Sequence, residues 1–144
     1  MAAAKRKVKE QAERVGRIIS AARQTAESEG WSAVTVRRLA DMIEYSQPVL
    51  YSHFANRDAI VAGVAIEGFK EITVALKRAR RHDAPSRAAI QRVGRAYLDF
   101  ASKNPALYEA MFTMRTSLHF AQADTKTELR EAFAALAAVF PPSR

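Results

Sequence analysis

Apolar residues recur along this chain at helical spacing. Val15, Ile18, Ile19, Ala22 and Ala26 mark one face of a first helix, and Gly30 stands where a glycine commonly closes one. Leu39, Ala40 and Ile43 form the stripe of a two-turn helix, and the stripe returns at Leu50 and Phe54. Glu44-Tyr45-Ser46 interrupts it. Ser46 is expected to cap the next helix through its hydroxyl, and Pro48 falls in the first turn, where a missing N–H costs nothing. Asn56 caps a further helix, with Asp58 in its first turn. Ile60, Val61, Val64, Ile66, Phe69, Ile72 and Leu76 carry that helix to about Arg81, a length of about 36 Å. His82-Asp83-Ala84-Pro85-Ser86 reads as a linker. Ala89, Val93, Ala96, Tyr97 and Phe100 define another helix, Asn104-Pro105 opens the next, and a last one runs from about Thr125 to Val139, stopped by Pro141-Pro142. The pattern predicts an all-α protein. Five prolines and five glycines in 144 residues agree with it.

Two short helices joined by a tight turn make a helix-turn-helix, whose second helix enters the major groove of DNA. The residues there suit that task. Gln47 can pair bidentately with adenine, Pro48 and Val49 offer apolar contact to a thymine methyl, and Tyr51 and His53 can donate to phosphates. Thr35 can cap the preceding helix and present its hydroxyl to a phosphate. Arg37 and Arg38 sit in the first turn of that helix, where the macrodipole disfavours cations, so an anionic partner is suggested. Arg38 and Arg57, beside helix amides, are assigned to phosphates. The same pattern also suits a small helical hairpin whose polar residues lie in solvent.

From roughly Arg17 to Ile72 the chain resembles the DNA-binding domain of the tetracycline-repressor family of bacterial transcription regulators. The matching features are Glu29-Gly30, Thr35 with Leu39-Ala40, Ser46, the run Gln47-Pro48-Val49-Leu50-Tyr51-Ser52-His53-Phe54, and Asn56-Arg57-Asp58. By position, Arg37 matches the arginine that reaches a base edge in the tetracycline repressor, which assigns it to base readout. One departure stands in the inter-helix turn, where Glu44 replaces the usual glycine. A left-handed residue there costs about 1 kcal/mol without glycine, so a different turn shape is expected.

The resemblance implies a three-helix DNA-binding domain over residues 8–57 and a helical effector and dimerisation domain over 58–144, joined by the long helix. It implies a homodimeric repressor on a palindromic double-stranded operator, released by a small effector. Tyr97, Phe100, Tyr108, Met111, Phe112 and Met114, with Phe120, are the residues assigned to the effector, although an aromatic–methionine stripe is also ordinary core. Family members carry two further C-terminal helices that pair across the dimer. About 60 residues after the linker leave room for three helices, so either the dimer uses another surface or the domain is shortened.

Composition narrows the remaining choices. No apolar run approaches the roughly 20 residues that span a bilayer, and the N-terminus lacks the apolar core of a secretory signal. The absence of cysteine excludes disulfides and thiolate metal sites and fits a cytoplasmic protein. The net charge of +8 favours a polyanionic partner without naming one. Lys5-Arg6-Lys7 and Lys9 form a basic arm, expected as a solvated tail. Lys77-Arg78-Ala79-Arg80-Arg81-His82 reads as a solvated helix end, and Trp31 as part of the small domain's core. Glu67 and Glu71 read as a solvated pair, and His119 is alone. No phosphate loop, nucleophile elbow or HExxH motif points to an enzyme, a metal or a cofactor. The competing class is a basic helical interaction module for a protein partner or an acidic membrane surface.

Overall fold

The computed structural model describes residues 2–82, 84–114 and 126–140. The helices among them are α1 (Ala2–Glu29), α2 (Val36–Ile43), α3 (Gln47–His53), α4 (Arg57–Arg80), α5 (Arg87–Lys103), α6 (Pro105–Phe112) and α7 (Thr127–Ala137), with a 3-10 turn at Trp31–Ala33. No helix among them is long and apolar enough to cross a membrane. The expectations placed on Asp83, His119, Phe120 and Pro141-Pro142 lie outside the described residues.

The basic arm is not a tail but the first half of α1. Alanines and long straight-chain residues favour a helix at little entropic cost, and residues 2–14 are all exposed. Burial begins with the apolar face, at Ile18, Ile19, Ala22 and Ala26. Gly30 closes the helix at φ 88° and ψ 162°, a region open in practice only to glycine.

The helix-turn-helix forms as the stripe requires. Thr35 Oγ1 accepts the Arg38 amide at 3.1 Å and starts α2. Leu39 and Leu50 are almost fully buried, and burying each stabilises the head by about 2 kcal/mol. The expected change of turn shape does not occur. Glu44 takes the left-handed conformation, φ 59° and ψ 35°, and the Tyr45 amide closes back on Ala40 O at 3.0 Å. That bond offsets the strain. Glu44→Gly is therefore expected to raise stability by about 1 kcal/mol, measured by urea denaturation. The expected cap at Ser46 is also corrected. Ser46 holds the N-cap position, but its side chain accepts no capping bond.

Helix α4 is the spine, packing against α1, α5, α6 and α7. Asn56 Oδ1 caps it by accepting the Ala59 amide at 2.9 Å. Two glycines let its neighbours approach. A Cβ on Gly63 would lie 2.4 Å from Ile19 Cδ1 of α1, and one on Gly68 would lie 2.6 Å from Met111 Sδ of α6.

The helix-turn-helix end is tied to the rest by polar bonds as well. The Trp31 indole N–H donates to Ala106 O at 2.8 Å, and the Ala106 amide donates to Glu27 Oε1 at 2.6 Å. Glu27 on α1 thus caps the first turn of α6, because Asn104 makes no side-chain cap there. Arg23 donates to Glu71 Oε1 at 2.8 Å and to Asn104 Oδ1 at 3.1 Å. Trp31 is buried as expected, but it fastens the head to α6 as well as closing the small core. Glu71 is paired with Arg23 and Glu67 with Lys70, so neither is merely solvated.

Candidate nucleic-acid interface

The α2–α3 pair turns its apolar stripe inward and leaves a polar surface outside. Arg37, Gln47, Pro48 and Tyr51 are exposed on it, Tyr51 at 52%. Thr35 and Ser46 are exposed at the two helix starts, and Val49 is half-buried. Leu50, at 1% exposure, anchors α3 from beneath. Helix α3 is so short that this anchor and the Glu44 turn fix its direction. Neither Arg37 nor Gln47 is spent on a bond within the described residues, so both retain their full donor sets.

Three sequence-assigned residues are placed differently from expectation. Arg57 does not turn outward to a phosphate. Its Nε donates to Val34 O at 2.7 Å and its Nη2 to Trp31 O at 2.6 Å, closing the turn between α1 and α2. Arg38 forks onto the Glu29 carboxylate, with Nη1 donating to Oε1 at 3.0 Å. A phosphate would have to compete with Glu29 for that fork. His53 is half-buried, and its Nε2 is buried with no hydrogen-bond partner. Sequence reasoning missed Glu29 and also Arg17, which donates to the Tyr45 hydroxyl at 3.4 Å. Neither pairing has a local sequence signal, since the partners lie far apart in the chain.

The residues assigned to an effector divide between places. Tyr97 and Phe112 line a cavity of about 130 Å³ between α4, α5, α6 and α7, together with Phe69, Ile72, Leu129 and Phe133. Tyr108 stands behind them, its hydroxyl 2.9 Å from that of Tyr97 and its ring 4.9 Å from Phe112. Met111 is core, packed toward Gly68. Met114 is half-buried against the core. Phe100 lines a different groove, between α4 and α5, and is corrected out of the cavity. Sequence reasoning missed Leu129 and Phe133, which α7 supplies.

Burial, then the hydrogen bond to Tyr108, pushes the Tyr97 hydroxyl up to about 12. A phenol whose folded pKa exceeds its ordinary value near 10 contributes stability below pH 10 and loses it as pH rises through 12. Among the four tyrosines, one late-titrating tyrosinate is expected in an absorbance titration at high pH. Tyr97→Phe should remove it.

A buried-stripe helical hairpin, a short exposed second helix and a spine carrying a second helical layer define the helix-turn-helix class of transcription regulators. Residues 18–64 match the model of bacterial regulatory proteins of the tetR family, and residues 90–142 match the tetracyclin repressor-like C-terminal domain. The chain belongs to the tetR family. It is 31% identical over 96 residues to the uncharacterized HTH-type transcriptional regulator YobS of Bacillus subtilis, covering 65% of this chain and 48% of that protein. It is 25% identical over 100 residues to the HTH-type transcriptional activator FasR of Mycolicibacterium smegmatis, covering 69% and 46%. A protein of unknown function from Rhodococcus sp. RHA1 superposes with a TM-score of 0.63 at 25% identity, over 85% of this chain and 60% of its own. A second solved structure, at 20% identity, superposes with a TM-score of 0.67 and bears on the fold alone. The chain spans about half the length of the curated relatives it matches.

Proposed function

We propose that this chain is a DNA-binding repressor that reads a palindromic operator as a homodimer and releases it when a small effector occupies the second domain. Residues 8–57 act as the reading head and 58–144 as the regulatory part. The observation that carries the reading is the exposed surface of Arg37, Gln47, Pro48 and Tyr51 above a buried Leu39–Leu50 anchor. Arg37 and Gln47 take base edges, Pro48 and Val49 a thymine methyl, and Thr35, Ser46 and Tyr51 the flanking phosphates. Arg57 holds the head's turn in shape, and Arg38 reaches a phosphate only by leaving Glu29.

Effector release uses the aromatic cavity. At about 130 Å³ it is smaller than typical ligand pockets, so a ligand must displace Phe112 or Phe133, both exposed at its edge. Phe112 lies on α6, whose first turn is held by Glu27 and Trp31 of the head. Motion of α6 is thereby passed to α1, which supports effector control of DNA affinity.

The test is fluorescence anisotropy with duplex DNA from upstream of the protein's own coding region, against a shuffled duplex, at low and physiological salt. The expected preference is about 10³-fold or more and survives added salt. Equal binding to both duplexes that vanishes with salt is phosphate attraction alone and would overturn the reading.

A further inference from the structure

Another face of the α4–α5 pair carries an open groove of about 900 Å³, separate from the aromatic cavity. Its rim is cationic, with Arg78 and Arg81 from α4 and its C-cap, and Arg92, Arg95 and Lys103 from α5. Asp99 is the one carboxylate among its described lining residues, and Ala79, Ala96 and Phe100 give it an apolar floor. Arg78, Arg81, Arg95 and Lys103 have no ion-pair partner among the described residues. Arg92 has a fixed role, with Nε donating to Ala79 O at 3.0 Å and Nη2 to Arg80 O at 3.4 Å. It pins α5 to the last carbonyls of α4 and so sets the groove's shape.

The DNA-reading surface does not account for these charges. The length of α4, 24 residues, puts Arg80 about 36 Å along the helix from Arg57, where the helix-turn-helix ends. The helix macrodipole favours Arg78 and Lys103, each near a helix C-terminus, but not Arg95, which lies mid-helix. Arg81 sits at φ 60° and is followed by His82 at φ 61°. Two consecutive left-handed residues without glycine are strained, and such strain gathers at ligand clamps and switch regions. A cleft lined by one sign of charge concentrates counter-ions of the other. Arginine forks match phosphate oxygens in pairs.

We infer that the α4–α5 groove binds a small organic diphosphate, with its phosphates on Arg78, Arg81 and Arg95 and its body on the alanine and Phe100 floor. The groove's volume falls within the range of small-molecule sites. Its far end is formed by Lys103 and Asn104, and Asn104 is the residue that holds Arg23 of α1. Occupancy therefore bears on the junction between the two parts of the chain from the side opposite the aromatic cavity.

The test is calorimetric titration of the full chain with ADP and, separately, with inorganic pyrophosphate at constant ionic strength. Saturable one-site binding of ADP is expected, tighter than that of pyrophosphate because the floor adds to it. Replacing Arg78→Gln together with Arg95→Gln should weaken it at least 10-fold. Both side chains are exposed, so the fold should persist, which circular dichroism checks. Lys5→Gln with Lys9→Gln removes the same charge from α1 and should leave binding unchanged. Absence of saturation, equal weakening by the α1 pair, loss on Arg37→Ala, or pyrophosphate binding as tightly as ADP would each overturn the assignment. No operator enters the experiment, so its failure is distinct from failure of the regulatory reading.

Discussion

Replacing Arg37 and Gln47 together by alanine is expected to lower operator affinity by about 10² to 10⁴-fold, each bidentate base contact being worth about 1–3 kcal/mol. Stability should hardly move. Both side chains are exposed and neither is spent inside the described fold. Arg37 even opposes the macrodipole at the start of α2, so its removal relieves a small repulsion. The measurement is anisotropy on the operator and on a shuffled duplex, beside a thermal melt of the same variant. Loss of operator preference with an unchanged melt supports readout by these two residues. An unchanged preference would take base recognition away from this surface.

Arg57→Leu should behave in the opposite manner, costing about 3 kcal/mol of stability and weakening DNA binding only through the fold. Its guanidinium donates to Val34 O and Trp31 O. Trp31 O keeps a second donor, the Val34 amide at 3.0 Å, whereas no other donor reaches Val34 O among the described residues. Charged hydrogen bonds of this kind contribute about 1.5–3 kcal/mol each, and an orphaned carbonyl adds its desolvation cost. Arg57→Lys should recover little, since one ammonium cannot reproduce the fork. Urea denaturation with an unchanged m-value is the check. Unaltered stability beside weakened DNA affinity would return Arg57 to the phosphate role its sequence position suggests.

The contrast between these two predictions shows which properties the sequence carries. Element order was legible because apolar pairs such as Leu39 and Ile43, Leu50 and Phe54, Ile60 and Val64, and Ala89 and Val93 stand four residues apart at helical spacing, and because Thr35 and Asn56 act within three residues of themselves. Capping is local chemistry. Ser46 shows its limit, since a favourable residue at the right position still makes no bond, while Ser86, read only as linker, caps α5 through the Ala89 amide at 3.1 Å. The direction of a long side chain is not local. Arg57 and Arg38 look alike in sequence as cations beside helix amides, yet one faces carbonyls across 23 and 26 residues and the other a carboxylate nine residues away. The cavity was half legible for the same reason. Tyr97, Tyr108 and Phe112 share neighbouring helices, but Leu129 and Phe133 arrive from α7, and Phe100 falls on the other side of α5.

The Glu27–Ala106–Trp31 junction has a practical consequence for anyone cutting or recombining this chain. A fragment ending at residue 57 would lose the carbonyl that Trp31 donates to and the amide that Glu27 accepts, and would bare a tryptophan now only 6% exposed. Grafting this head onto a foreign sensor would meet the same obstacle. Exchange of modules succeeds only where the recipient supplies a helix start opposite Trp31 and Glu27; a splice at the 82–86 linker meets the same obstacle as one at the end of the helix-turn-helix, because Ala106 lies beyond both.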